Sequence, residues 1–313
     1  MSSSIENRSL WREIFNSTAL INKTNSGHFH VLSILFLFPL LFCLVVYPYF
    51  HLALFHPNYH FTIFTQLSLS NYEIIVLLIG TLFMVLLFLC AVATITYSAV
   101  QASYGRGINL VSSIKSIRNS FFPLLSTFIV SHTIFISITL VFALVLVLLS
   151  QILQTFRLLE LKYDLNHFLF FVVFALIILV PILMWLQVNW SLAYVVAVVE
   201  SKQGYETLRR SAYLVKGMRS VALSMTLSYG LTMGCLVGGG SMFLVSVGSD
   251  KGRSFVVIIL QILECSVMGY VMMNQYLMGN AVLYMYSKDL NDEKLHFEIS
   301  DEFGYEYQSL NMM

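Results

Sequence analysis

The chain has 313 residues, of which 58% are hydrophobic and 11% charged, with 17 basic side chains against 16 acidic. Soluble domains carry roughly a quarter charged residues, so this composition excludes a water-soluble globule and points to a membrane protein. The near-neutral balance leaves no case for a nucleic-acid partner, which needs a basic surface.

Residues 1–30 are polar and mixed, without a short apolar stretch or a small-residue cleavage site. No removable signal peptide is expected, and the first span acts as its own insertion signal. Leu10, Trp11, Ile14 and Phe15 share one helical face, with Arg12 and Glu13 opposite. That pattern suggests a short helix on the membrane surface; the plainer alternative is a disordered tail with one apolar patch.

Six apolar runs follow, near 31–55, 72–100, 121–150, 168–199, 221–247 and 255–286. Each is long enough for the roughly 20 residues a spanning helix requires. Pro39, Pro48 and Pro181 fall inside or near the ends of runs and are expected to kink them. The predicted fold is all-α: a polytopic six-helix transmembrane bundle at 31–287, preceded by a cytosolic segment at 1–30 and followed by a tail at 288–313. Cys43, Cys90, Cys235 and Cys265 sit inside apolar runs and read as small buried hydrophobes, with neither a disulfide framework nor a zinc site.

Charge at the flanks sets the expected topology. The termini and the second and fourth loops hold thirteen Lys and Arg, while Arg157, Lys162, Lys251 and Arg253 are the four on the other side. The excess marks the cytosolic side and places both termini there. Asn7, Asn16 and Asn22 begin N-x-Ser/Thr patterns on that side and Asn189 lies in the fourth span, so no N-linked glycan is expected.

The second and fourth loops look alike. SYGRGINLVSSIKSIRNSF and SKQGYETLRRSAYLVKGMRSV each leave a span, pass a glycine and show helical periodicity before re-entering, a likeness that suggests an internal repeat. In the latter, Tyr205, Leu208, Ala212 and Val215 share a face, opposed by Glu206, Arg209, Arg210, Tyr213 and Lys216. The expectation is a short amphipathic helix at the cytosolic interface in each of the two loops. Lys202, Arg209, Arg210, Lys216 and Arg219 would then contact anionic lipid at about 1 kcal/mol each, or serve only as positive-inside anchors. The tail carries seven carboxylates against two lysines after Ser287 and reads as solvated and disordered. Within it, Tyr307 to Leu310 fits a tyrosine-based sorting pattern.

Three sets of residues are candidates for more than structure. Glu264, an acid within the sixth span, shares a sector of roughly 60° with Gln261 and Gln275 at the 100° step of a helix. A carboxylate in hydrocarbon costs a few kcal/mol, so Glu264 is expected to point inward. It would line a polar cavity for a proton, cation or headgroup, or act as interhelical glue with Ser126, Thr133 and Ser137 or Gln187 and Ser191 as partners. Gly230, Gly234 and Gly238 recur every four residues and predict close helix packing, with Gly238 to Gly240 as an alternative helix break. His51, His56 and His60 cluster on the far side, but Pro57 interrupts the helix and no further ligand completes a metal site. No phosphate loop, nucleophile elbow or paired-carboxylate motif is present, and no cofactor is expected.

The segment YVVAVVESKQGYETLRRSAYLVKGMRSVAL resembles the "VVE-x(3)-G-x-x-AL-x-R-S-x-x-LVKG" signature of a group of plant multi-pass membrane proteins of unknown function. The match is carried by Glu200, Gly204, Leu208, Arg210, Ser211, Leu214, Val215, Lys216 and Gly217. LWREIFNSTALI followed by FPLLFCLV is similar to that group's N-terminal helix and Pro-Leu entrance to the first span. More distantly, the layout looks like the six-span membrane domain of some bacterial glycerophosphodiester phosphodiesterases. Thr207 stands where the group has Ala, and Tyr286-Ser287-Lys288 where a Cys-Lys pair is expected. The phosphodiesterase catalytic domain is absent, so the resemblance implies an architecture and no hydrolase activity.

The functional expectation is a non-enzymatic membrane protein that organises lipid or recruits cytosolic partners through its fourth loop and acidic tail, in the endomembrane system or plasma membrane. The rival expectation is a transporter or lipid-handling module built around Glu264.

Overall fold

A computed structural model describes residues 2–55, 71–155, 165–248 and 255–291. Among these, all regular structure is helical: α1 (Ser2–Thr24), α2 (Ser26–Leu32), a π-helical turn (Ser33–Leu37), α3 (Phe38–Phe55), α4 (Asn71–Ser103), α5 (Leu110–Thr155), α6 (Leu165–Asn189), α7 (Ala193–Val199), α8 (Gly204–Val215), α9 (Arg219–Gly248) and α10 (Phe255–Leu290). Among the described residues, six stretches are long and apolar enough to cross a bilayer: Ser26–Tyr47, Ile74–Ser103, Leu110–Leu149, Ala175–Val199, Arg219–Phe243 and Val256–Leu290. The protein is an all-α polytopic bundle of six such helices. Its outer faces are apolar, with Leu82, Leu140, Ile177 and Leu260 all exposed. Only a hydrocarbon solvent favours that arrangement.

Local chemistry explains the irregular points. Pro39 has no N–H to donate and its ring crowds the carbonyl four residues earlier; the first span answers with the π-helical turn over Ser33–Leu37, just ahead of it. At the end of α4, Gly105 adopts φ +69°. Its N–H bonds Ala102 O at 3.0 Å and that of Arg106 bonds Gln101 O at 3.1 Å, the Schellman arrangement that closes a helix. Asn109 then caps α5, its Oδ1 accepting from the Val111 N–H at 3.1 Å.

The core joins Leu37 and Leu41 of the first span to Leu89, Val92 and Ile95 of α4 and to Leu277 and Met278 of α10. A partly buried polar triangle reinforces the contact of α2, α4 and α5. Ser98 Oγ lies 2.7 Å from Ser113 Oγ, and His28 Nε2 lies 3.0 Å from Ser98 Oγ and 3.2 Å from Ser113 Oγ.

Three expectations change. The amphipathic stretch of the second loop is not a separate interfacial helix but the first turns of α5, which runs unbroken for 46 residues. The predicted N-terminal helix exists, yet Ile14 is buried among Leu192, Leu214, Val221 and Leu283 instead of resting on lipid. Phe15, expected on the same face as Ile14, is half exposed. The triple glycine does not break α9, which continues from Arg219 to Gly248.

Candidate functional site

The fourth span is discontinuous. α6 stops at Asn189, residues 190–192 form a turn, and α7 resumes at Ala193 for seven residues. A break inside a membrane leaves backbone groups that water cannot satisfy. Ser211 of α8 satisfies two: its Oγ donates to Asn189 O at 2.8 Å and accepts from the Leu192 N–H at 3.2 Å.

α8 is held in place for this task by its sequence. Its buried face is Gly204, Thr207, Leu208, Ser211, Leu214 and Val215, spaced three and four apart as one side of a helix requires. Gly204 has φ +55°, and a Cβ there would sit 3.1 Å from Ser126 Oγ and 3.4 Å from Val130 Cγ2 on α5. Both the backbone angle and the close approach favour glycine. At the other end, a Cβ on Gly217 would meet Leu290 of α10 at 2.7 Å.

Glu200 ties the module to α10. The carboxylate receives Lys202 Nζ at 2.9 Å, Arg210 Nε at 3.3 Å and the Tyr284 hydroxyl at 3.0 Å. Lys288 Nζ donates in turn to the Tyr284 oxygen at 3.5 Å. Burial would raise the Glu200 carboxyl, but the hydrogen bond from Lys202, the charge of Arg210 and the Tyr284 hydroxyl outweigh it and hold the group below its ordinary value. The adjoining Ser201 sits at φ 52°, a left-handed conformation that costs about 1–2 kcal/mol in a residue with a Cβ.

Beside the break lies a cavity of about 570 Å³. It is bounded by Leu41 and Leu44 on α3, Met84 and Thr96 on α4, Phe128 and Ser131 on α5, Ser191 in the turn, Tyr194 on α7, Leu208 on α8, Met233 on α9 and Asn280 on α10. No Asp, Glu, Lys or Arg is among its lining residues. The hydroxyls of Thr96 and Ser191, 1% and 6% exposed as residues, have no hydrogen-bond partner among the described residues. Thr127 and Ser131 are satisfied within α5, donating to Pro123 O at 2.8 Å and Phe128 O at 3.0 Å.

The residues singled out from the sequence fall elsewhere. Gln261, Glu264 and Gln275 do share a face, but it is the one opposite the buried ridge of Ser266, Gly269, Leu277 and Ala281. Glu264 is exposed on the outer surface of α10, and Gln261 bonds Cys265 Sγ at 3.3 Å. Glu264 thus does not point into the bundle as expected. A single-helix pattern shows which residues share a face and not which way that face points. Of the polar partners expected for Glu264, Gln187 and Ser191 line the cavity instead, whereas Thr133 and Ser137 are exposed.

Gly230, Gly234 and Gly238 likewise occupy the outer face of α9, with nothing within 4 Å of an added Cβ. The close approaches occur at other glycines. A Cβ on Gly240 would lie 2.8 Å from Cys265 Sγ and one on Gly269 2.9 Å from Leu41 Cδ1. The five basic residues of the fourth loop divide: Lys202 and Arg210 pair with Glu200, while Arg209, Lys216 and Arg219 are exposed. Tyr205, placed by periodicity on the apolar face, is 66% exposed, because the buried face is rotated toward Thr207 and Leu214. His56, His60, the His51 side chain and the acidic tail from 292, including the Tyr307 to Leu310 pattern, lie outside the described residues.

Sequence reasoning did not identify Thr96, Tyr194, Asn280 or the Glu200–Tyr284 contact. Only Glu200 carried a visible signal: an acid closing an apolar run, with Arg210 ten residues on. Residues 56–310 match the model of a family described as a Domain of unknown function (DUF8558). No curated protein matches the chain, and no solved structure does.

Proposed function

The chain belongs to the DUF8558 family, and we propose that it is a non-enzymatic multi-pass membrane protein that holds a small amphiphile within the bilayer. The cavity beside the broken fourth span carries this reading. Its volume, about 570 Å³, lies in the roughly 300–1,000 Å³ range of small-molecule sites, and its walls are mostly apolar with a few convergent polar groups, as in such sites. Broken spans with satisfied backbone are also where membrane carriers place their ligands. Both termini face the cytosol in this proposal, on the strength of the basic flanks. The likeness of the α7–α8 segment to the plant multi-pass group belongs to the same proposal.

The test is the small-molecule content of the purified protein, read by mass spectrometry after solvent extraction. Wild type is expected to carry a retained amphiphile near one per chain. Ser191→Trp, which fills the cavity, should lose it while remaining monodisperse. Glu264→Gln, on the outer face, should change nothing. Equal contents in wild type and the filled variant overturn the reading.

A second role is favoured by one observation. Arg209, Lys216 and Arg219 stay exposed at the basic end of the molecule, free of the Glu200 cluster, and suit anionic lipid of the cytosolic leaflet. Replacing all three with Ala should reduce anionic-lipid enrichment around the protein in mixed nanodiscs, and added salt should do the same to wild type. Unchanged enrichment rejects this role.

A further inference from the structure

The cavity's chemistry narrows the class of molecule it takes, an inference that rests on the reading of the cavity as a ligand site. No Asp, Glu, Lys or Arg lines the walls to pair with a charged headgroup, and the histidine among the lining residues, His132, is exposed with its Nδ1 2.9 Å from Phe128 O. Moving an ion from water into such apolar surroundings without a paired opposite charge is strongly unfavourable. The pocket is nevertheless not simply greasy. Thr96 Oγ1 and Ser191 Oγ are buried and unpartnered, and both residues line the cavity. Buried polar groups are ordinarily satisfied, so an orphan hydroxyl on a residue that lines a cavity calls for a partner.

We propose that the cavity binds an uncharged, hydroxyl-bearing lipid, its hydroxyl bonded to Thr96 and Ser191. A hydroxyl both donates and accepts, so one such group satisfies two side-chain hydroxyls at once. Shape agrees. The lining positions on α4 run from Thr81 to Thr96, about 22 Å at the rise of an α-helix. That length accommodates a sterol or a single acyl chain. Leu44, Met84 and Phe88 offer the apolar wall, and methionine adapts to irregular apolar shapes. Asn280, also on the lining and 5% exposed, adds an amide to it.

Photoaffinity labelling of the full-length protein in nanodiscs tests this. Three photoreactive probes are compared at neutral pH: a sterol, a monoacylglycerol, and a fatty acid of the same chain length that is anionic. At least one neutral probe should label saturably, at peptides lining the cavity, and the fatty acid should label at least tenfold less. Whichever neutral probe labels identifies the source of the hydroxyl. Thr96→Val with Ser191→Ala should weaken neutral labelling roughly five- to tenfold, the loss of one to two hydrogen bonds. Thr96→Ser, which keeps the hydroxyl, should leave it near wild type. Fatty-acid labelling equal to the neutral probes, or a double variant that labels like wild type, overturns the hydroxyl-lipid assignment while the cavity reading stands. No saturable labelling by any probe overturns both.

Discussion

Arg210 reaches back ten residues to place its Nε 3.3 Å from Oε1 and 3.3 Å from Oε2 of Glu200. The contact joins α8 to the end of α7. Because Tyr284 bonds the same carboxylate at 3.0 Å, it also fastens both to α10. The short helix hairpin that borders the cavity is thus held by charge at one end and by the Ser211 clamp at the other.

Removing Arg210 should therefore cost more than removing Lys202. The Arg210 and Glu200 side chains are 20% and 12% exposed, against 39% for Lys202. Loss of one member of a shielded pair strands the other. Arg210→Ala is expected to destabilise by about 2–3 kcal/mol, and Lys202→Ala by less than about 1 kcal/mol. Thermal unfolding of the detergent-solubilised variants decides it; equal losses would show that burial does not rank the two pairs.

The same cluster predicts a pH dependence. Glu200 is held below its ordinary value, so its folded form prefers the ionised state. Its contribution is fully present above the unfolded value, about 4.3 for Glu. It is lost as pH falls through the depressed folded value. Wild type should hold its melting temperature from neutral pH to about pH 5 and lose stability below about pH 4. Glu200→Gln should start lower at neutral pH and lack that acid-side component. A wild type and variant that decline in parallel would refute the assignment.

Ser211→Ala removes a hydroxyl that serves two backbone groups, the Asn189 carbonyl through its 2.8 Å bond and the Leu192 N–H through its 3.2 Å bond. Both lie beside a helix break away from water, where an unsatisfied group costs about 1–3 kcal/mol. A loss in that range is expected, accompanied by faster hydrogen exchange at 189–192. Exchange unchanged at the turn would mean that the hydroxyl is dispensable there.

Two glycine-to-alanine changes separate the packed helix faces from the open ones. At Gly269 an added methyl meets Leu41 Cδ1 at 2.9 Å and Cγ at 3.2 Å, and Leu41 is 1% exposed with little room to shift. Gly269→Ala should cost about 1–3 kcal/mol. At Gly234 nothing lies within 4 Å, so Gly234→Ala should be neutral or stabilise by up to about 1 kcal/mol through helix propensity. Comparable destabilisation at both would restore the glycine stripe as a packed interface.

Much of the architecture is legible in the residues alone. The six apolar runs become six span-length helices because the transfer of apolar side chains to hydrocarbon depends on composition and length, both of which are local. The shared face of Gln261, Glu264 and Gln275 is equally local, a matter of the 100° step. Its direction is not: the neighbours decide it, and Gly269 and Leu277 find Leu41 while Glu264 faces outward. The regular spacing of Gly230, Gly234 and Gly238 fails as a packing signal on the same ground. Thr96 and Ser191 lie 95 positions apart and come to one cavity only because the fourth span breaks beside α4. Membership of the bilayer followed from what each segment prefers as a solvent; the site followed from which segments became neighbours, a property that no segment carries by itself.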